Sequence, residues 1–338
     1  MSDYGSDNDE VDALVAFGQA LVEAILEHQP LALVRKMVED GAPLWFQDHE
    51  GTSALHAAAY TENEELIQYL IEQGAVWNAV DNLHNTAGDI VLSMNNETCY
   101  NIIRDAGIRS ELLLTLLASR TPPATSPLSM VLQATDTTAA GSQNAFLSSK
   151  LKFVKDDNGQ EILGVMMGWE RGIMQETGGL KVLNVGFGLG SPLTHCVKVD
   201  ATPDVLAHMR DLGWYDKPNV RILEGKWQDF VESEELLGVG GFDVVYTDTF
   251  SEDYKARPRP LAGPESRFGF FNGLGATNAL FYDVYTRVSE LHLADVGIDI
   301  EWTDVDVFEG GQDRWGETRE YFAQRFYRLP VGRMRAIS

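Results

Sequence analysis

The 338-residue sequence predicts two folded parts, a small all-α repeat domain followed by a larger α/β domain built on a mostly parallel sheet. Three observations predict it. The first third of the chain is self-similar at an offset of 33 residues, a stretch rich in Ser, Thr, Pro and Ala follows, and the remainder alternates short apolar runs with helical patterns. A chain of this length has room for two cores.

Residues 1–11 are acidic and polar and are expected to form a disordered tail. The repeat domain is assigned to residues 12–118. Leu14, Phe17, Leu21 and Ile25 fall on one face at helical spacing, and VEDGAPLWFQD (38–48) then aligns with IEQGAVWNAVD (71–81). Gly41 pairs with Gly74, and Gly107 falls another 33 residues on. Between the first two glycines the sequence predicts a turn, a short helix beginning near Ser53 and a second helix over Glu64–Glu72. Its TSALHAAA resembles the T-P-L-H-x-A opening of an ankyrin repeat. That resemblance implies a threonine hydroxyl and a histidine closing the turn on backbone groups, and a left-handed glycine ending the second helix. His56 is therefore expected to hold a turn rather than to do chemistry. The next copy, HNTAGDIVLSMNNETCYNIIRDAG, is degenerate. So short a stack reads as a docking or scaffold module. Residues 119–144 form the expected linker.

The second domain is assigned to residues 145–338. It opens on a helical segment near Phe146, FLSSKLKFV, followed by GVMMGWERGIM. VLNVGFGLG reads as a strand running into Gly186, Gly188 and Gly190. HCVKVD is a strand ending at Asp200, PDVLAHMRDLGW a helix, NVRILEG a strand, and FDVVYTDTF a strand ending at Asp248. RFGFFNG is a further strand, FYDVYTRVSELHLADVG a helix, and IDIEW and YRLPVGRM are strand-like.

Composition narrows the function. The 51 acidic against 26 basic side chains give a formal charge of −25, which argues against nucleic acid as a direct partner and suits a basic protein or a cationic group. Cys99 and Cys196 build neither a disulfide framework nor a zinc spacing, and no His/Cys cluster suggests a metal. The N-terminus has no signal-peptide pattern, and no run approaches 18 uninterrupted apolar residues. The expected setting is intracellular and away from membranes.

A buried strand entering G-x-G-x-G lets backbone approach a nucleotide with no Cβ in the way, although many tight turns share the pattern. Asp200 closes the next strand, where a ribose diol would need a carboxylate. Trp227 and Gln228 lie just past the third strand, where adenine could stack. Asp248 ends the fourth, at the carboxyl edge where open α/β sheets bind ligands. The glycine spacing argues against NAD. Each residue also has a plainer reading: Glu170 as a surface helix residue, Asp248 as a strand-end cap, Trp227 and Met166 as core.

Taken in order, VMMGWE, VLNVGFGLG, GKWQDF and YTDTF resemble the guanidino-directed methyltransferases. The nearer likeness is to the fungal protein arginine N5-methyltransferases, the more distant to guanidinoacetate methyltransferase. FFNGLGATNALFYDVYTRV, YRLPVGRM and the plan of ankyrin-like repeats, linker and methyltransferase domain resemble the fungal family too. The resemblance implies a Rossmann-like, class I methyltransferase sheet and S-adenosyl-L-methionine as cofactor. Phe146 and Met166 would line its pocket, and Gly186, Phe187, Gly188, Leu189 and Gly190 would turn around its methionine part. Asp200 would hold the ribose, with Ala201, Thr202, Trp227 and Gln228 around the adenine. Asp248, bordering the cofactor, and Glu170 would face the guanidinium as the catalytic pair. The implied reaction is methylation of the δ-nitrogen of arginine in a protein, the family's substrate lying among large-subunit ribosomal proteins. The substrate would dock partly through the repeats, and a monomer is the expected state.

Two stretches are shorter than that plan requires. Only Ser191–Thr194 separate Gly190 from the strand at His195, and Gly186 to Asp200 spans 14 residues, where roughly 20 is usual. A parallel crossover takes roughly a dozen residues or more, normally a helix. Residues 255–264 carry Pro258, Pro260 and Pro264, which cannot share one helix. Two crossover helices, near 191–194 and 255–264, are thus expected to be absent. Two alternatives stay open: a catalytically impaired relative serving as an ankyrin interaction module, and a methyltransferase of small guanidino compounds.

Overall fold

The computed structural model describes residues 6–120, 153–155, 161–163, 181–185, 196–200, 203–230, 232–247, 263, 265–307 and 322–335. The chain divides into two compact units, residues 1–135 with 275–288 and residues 136–274 with 289–338.

In the first unit six helices follow one another: α1 (Ser6–Leu26), α2 (Leu31–Glu39), α3 (Ala54–Tyr60), α4 (Glu64–Glu72), α5 (Ala87–Ser93) and α6 (Glu97–Arg120). The 33-residue period is visible in the backbone bonds. Bridges between Gln47 and Ser53 and between Val80 and Thr86 form hairpins in equivalent places. An aspartate organises each one: Asp48 Oδ1 accepts from the amides of Glu50 and Thr52, and Asp81 Oδ1 from those of Leu83 and Asn85. The hairpins are tied together at the same offset, Gln47 Nε2 donating to the Val80 carbonyl and Asn82 Nδ2 to the His49 carbonyl, both at 2.8 Å.

The turn closure uses the hydroxyl of Ser53 rather than that of Thr52. Ser53 caps α3; His56 Nδ1 accepts from the Ser53 amide, and its Nε2 donates to the Asn85 carbonyl of the next hairpin at 3.1 Å. In the degenerate copy Thr86 caps α5, and Asp89 takes the place of the histidine, accepting from the Thr86 amide at 2.8 Å. Either side chain returns to the cap amide three residues back, which is all the capping box asks of it.

Gly41 and Gly74 adopt the expected left-handed conformation, with φ of 98° and 93°. Gly107 does not end a helix: it lies inside α6, which runs on to take in Ser119 and Arg120 of the expected linker. Residues 121–144 lie outside the described residues. The N-terminal reading is corrected as well. Helix α1 begins at Ser6, within the stretch 1–11 expected to be disordered, and its opening SDNDE has the acidic composition that helix starts favour. The core of this unit includes Leu21, Ile25, Val34, Leu55, Ile67, Leu70 and Ile103, and Leu280, Val284 and Val288 from the segment 275–288 join it.

In the second unit β1 (Phe153–Lys155) and β2 (Glu161–Leu163) pair antiparallel. Phe153 and Val154 therefore correct the helical reading of FLSSKLKFV at its end; the residues before them are not described. Seven strands make the main sheet: β3 (Val182–Val185), β4 (Cys196–Asp200), β5 (Val220–Glu224), β6 (Val244–Thr247), β7 (Arg267–Phe270), β8 (Ile298–Asp306) and β9 (Phe326–Met334). Their order is β5-β4-β3-β6-β7-β9-β8. The first five are parallel, and β9 runs antiparallel to both its neighbours. Helices α7 (Pro203–Asp211), α8 (Trp227–Phe230), α9 (Glu234–Leu237) and α10 (Ala279–Asp295), with a short 3-10 helix at Trp214–Asp216, complete the described elements.

On one face Leu183, Val185, Val197, Val199, Leu223 and Val245 form a core with Leu236 and Phe242. Among the described residues the other face carries two smaller groups. One is Val182 with Val244; in the other, Leu206, Met209 and Trp214 pack against Val220 and Ile222. The short connections have not cost the sheet its order. Strands β3 and β4 pair in parallel from Val182–Cys196 to Val185–Val199, with residues 186–195 between them. An extended chain covers about 3.3–3.6 Å per residue, enough to return past a four-residue strand without a helix. Strands β6 and β7 pair in parallel too. Of the two places where helices are expected to be absent, 191–194 and 255–264, only Gly263 is described.

Candidate cofactor and substrate site

The chain order reverses at β3. Strands β4 and β5 extend the sheet on one side, and the chain then returns to lay β6 on the other. Ligands of open α/β sheets bind outside the carboxyl ends at such a point, where the segments leaving neighbouring strands part. Val185 pairs with Thr247 at that edge. In sequence, the glycine turn begins directly after the first and Asp248 directly after the second. One place over, Asp200 ends β4 in register with Glu224 at the end of β5.

Of the residues expected to form the site, three have a described backbone. Asp200 is the last residue of β4, and Trp227 and Gln228 open α8 just beyond β5. The indole of Trp227 is half-buried and packs with Phe230 against the core that contains Leu183 and Val245. Part of the ring thus serves the core, as its plainer reading has it. Phe146, Met166, Glu170, Gly186, Phe187, Gly188, Leu189, Gly190, Ala201, Thr202 and Asp248 lie outside the described residues.

Two side chains not singled out from the sequence stand in these strands. The Glu224 carboxylate accepts from the Tyr215 hydroxyl at 2.7 Å and from Arg210 at 2.5 Å, and these bonds hold its pKa below the usual carboxylate range. The Arg210 guanidinium also lies over the Tyr215 ring, so Glu224 is committed to a local tie. Asn184 is the opposite case. It is fully buried in β3, and among the described residues neither its amide oxygen nor its amide nitrogen has a hydrogen-bond partner. In register with Tyr246, it faces the side of the sheet that carries Val182 and Val244. Leaving a buried polar group unpaired costs roughly 1–3 kcal/mol, so such a group marks a place for a ligand or a bound water. Asn184 stands two residues before Gly186. An unpartnered amide, three alternate glycines following it in the sequence and an acidic strand end are a donor and acceptor set that fits S-adenosyl-L-methionine. The signal for Asn184 was present in the sequence, as the one polar residue of the strand VLNV.

Further along the edge, the chain leaving β7 is fixed by Tyr327. Its hydroxyl accepts from the Asn272 amide at 3.0 Å, and its ring stacks on Phe271 with centroids 5.6 Å apart.

A doubly wound sheet closed by an antiparallel last pair, with acidic ends on β4 and β5 and a glycine-rich sequence following β3, defines a class I, Rossmann-like methyltransferase domain, here preceded by repeats. The family described as ankyrin repeats (many copies) matches residues 21–71 and 55–104. Over the whole chain the similarity is to the protein named protein arginine N-methyltransferase 2 in several fungi. Identity is 36% with that of Cryptococcus neoformans (96% of this chain, 97% of that protein) and 32% with that of Aspergillus fumigatus (98% of each). It is 33% with that of Saccharomyces cerevisiae (79% of this chain, 76% of that protein). The chain belongs to this fungal protein arginine N-methyltransferase 2 family. The Cryptococcus alignment is 379 positions long while this chain has 338 residues, so at least 41 of its positions fall opposite gaps in this chain. Among the described residues no helix is long and apolar enough to cross a membrane.

Proposed function

We propose that this chain uses S-adenosyl-L-methionine to methylate the δ-nitrogen of an arginine in a protein, the substrate being a basic protein of the large ribosomal subunit. The observation that carries the reading is the switch point, where paired residues of β3 and β6 lead directly into the glycine turn and Asp248. Family membership supplies the reaction class.

When bound, the cofactor supplies a methyl group already activated by its sulfonium, so alignment is most of the protein's task. Gly186–Gly190 let the backbone approach it, Asp200 holds the ribose diol, and the exposed part of Trp227 with Gln228 borders the adenine. The arginine side chain is the harder partner. A guanidinium has a pKa above about 12 and five donors in a fixed fork, and its nitrogen lone pairs are delocalised. Asp248 and Glu170 are assigned to grip that fork. Two carboxylates draw the charge to the outer nitrogens, freeing the δ-nitrogen lone pair, and take up the proton released as the methyl arrives. The charge of −25 favours a cationic protein substrate, and the repeats give it a surface to dock on.

A second reading is favoured by the gaps against the Cryptococcus protein: a chain that keeps the fold and the partner but has lost turnover. Titration calorimetry of the full-length chain with S-adenosyl-L-methionine separates the two. The enzyme reading expects saturable binding that weakens about tenfold or more in Asp200→Ala, the scale of a lost charged hydrogen bond. It also expects Asp248→Ala to bind the cofactor yet transfer no labelled methyl to large-subunit ribosomal protein. Turnover on free guanidino compounds in place of protein would redirect the assignment to a small substrate. Absence of binding at millimolar cofactor would sink the enzyme reading.

A further inference from the structure

We infer that the open end of the repeat stack is an interaction surface whose occupant is residues 275–288 of this same chain, on which the repeats depend as their terminal cap. A repeat buries its apolar faces only against its neighbours, so the last one in a stack presents an uncovered end that needs a cap. Leu280, Val284 and Val288 recur at four-residue intervals on α10, a single helical stripe, and all three are buried in the core of the repeat unit.

The repeats are shaped to receive that stripe. A Cβ on Gly88 of α5 would sit 2.7 Å from Leu280 Cδ2, and its two next-nearest atoms would also belong to Leu280. A Cβ on Gly107 of α6 would lie 2.8 Å from the Trp77 ring and 2.9 Å from Val284 Cγ2. Glycine inside a helix is disfavoured against alanine. Two of them, each with a cap side chain within 3 Å of where a Cβ would sit, are accounted for by that approach. The 33-residue spacing that places Gly107 with Gly41 and Gly74 thus serves a different end in the last copy.

Polar contacts fix the register of the cap. The Tyr100 hydroxyl of α6 donates to Asp283 at 2.5 Å, and Asn278 Nδ2 donates to Asp89 of α5 at 2.5 Å. Asn278 Oδ1 accepts from the Phe281 amide in the first turn of α10, and the Phe281 ring meets Trp77 edge-on at 5.8 Å. Gly275, at φ 70°, turns the chain into this helix where a Cβ would strike the backbone of Phe281. The repeats are therefore completed by a segment more than 150 residues downstream of α6, and they are not a module that can be severed at the linker.

Amide hydrogen exchange on the full-length chain tests this. Val284→Asp puts a charge into the capped end and is expected to speed exchange in α5 and α6 by about tenfold or more while leaving α2 unchanged. Unchanged exchange over residues 87–120 would overturn the proposal. Should that variant fail to fold, the cycle Gly88→Ala, Leu280→Ala and the double variant decides. Each single change is expected to speed exchange in α5, and the double variant to exchange more slowly than Leu280→Ala alone, since the new methyl enters the space the leucine leaves. Additive effects, or slower exchange in Gly88→Ala alone, would show that Leu280 does not pack there.

Discussion

Asn184 and His56 are both buried polar side chains in apolar surroundings, and they differ in having partners. His56 is 1% exposed with a bond at each ring nitrogen, whereas Asn184 is fully buried and has none among the described residues. Replacing Asn184 by leucine, of similar size, removes the unpaired amide. The unliganded chain is expected to gain about 1–3 kcal/mol in denaturant unfolding. If the amide meets the cofactor, affinity for S-adenosyl-L-methionine falls about tenfold in the same variant. A gain in stability with unaltered affinity would remove Asn184 from the binding site. For His56, burial outweighs the Asn85 carbonyl and the nearby Asp81, Asp48 and Asp89, and holds its pKa below the ordinary 6.5. The unfolded chain then takes up a proton near pH 6.5 while the folded chain stays neutral to lower pH, so unfolded molecules bind more protons in that window. The stability that the neutral imidazole contributes is complete above pH 6.5 and is lost as pH falls toward the folded value. His56→Gln, which cannot titrate, is expected to flatten the fall in melting temperature between pH 7.5 and 5.5. It should be the less stable protein at pH 7.5, by about 1 kcal/mol. A pH slope as steep in the variant as in the parent would assign acid sensitivity elsewhere.

At the scale of elements, what was legible depended on whether a local signal sufficed. Helix α4 falls on the predicted Glu64–Glu72 because Asn63 caps it and a left-handed Gly74 follows it, both local causes. The strands β3 to β7 were legible as apolar runs between turn residues. Their order is a property of the whole sheet that no local signal carries; the resemblance implied only the class of sheet. The segment 153–155 shows the limit of pattern reading: Phe153 and Val154 close a stretch with helical spacing, yet pair with Ile162 and Leu163 as a hairpin. Gly107 shows another. Its spacing said helix end, but a glycine is equally a place for close approach, and only the Trp77 and Val284 contacts distinguish the two. Helix α10 was legible as a helix, but the stripe Leu280–Val284–Val288 cannot say which core it joins. The candidate site rests on motifs: Asp200 falls at the end of β4 and Trp227 just beyond β5, where the sequence puts them, while the glycine-rich stretch lies outside the described residues. Asn184 was passed over because a lone polar residue in a strand stands out only when its partners are known to be missing.

For the molecule as a whole, the dominant long-range term is charge. With 51 acidic and 26 basic side chains, 25 acidic groups lack a basic counterpart, and compaction brings like charges together. Ion pairs such as Arg35–Glu65, at 2.8 Å, offset this locally, but Glu65 is exposed and Arg35 only half-buried, and such pairs contribute little. Salt screens both terms, over about 10 Å at 0.1 M. The excess of 25 negative charges means that repulsion is the larger of the two. Raising sodium chloride from about 0.02 to 0.5 M is therefore expected to stabilise the unliganded chain. A gain of about 1 kcal/mol corresponds to a rise in melting temperature of about 2–4 °C for a chain of this size. Affinity for a basic protein substrate should move the opposite way over the same range, because the attraction that steers the substrate is screened with the repulsion. A melting temperature that falls with salt would mean that the surface ion pairs, and not the unbalanced carboxylates, govern the fold's electrostatics. The docking of a cationic partner would then need an apolar contact to account for it.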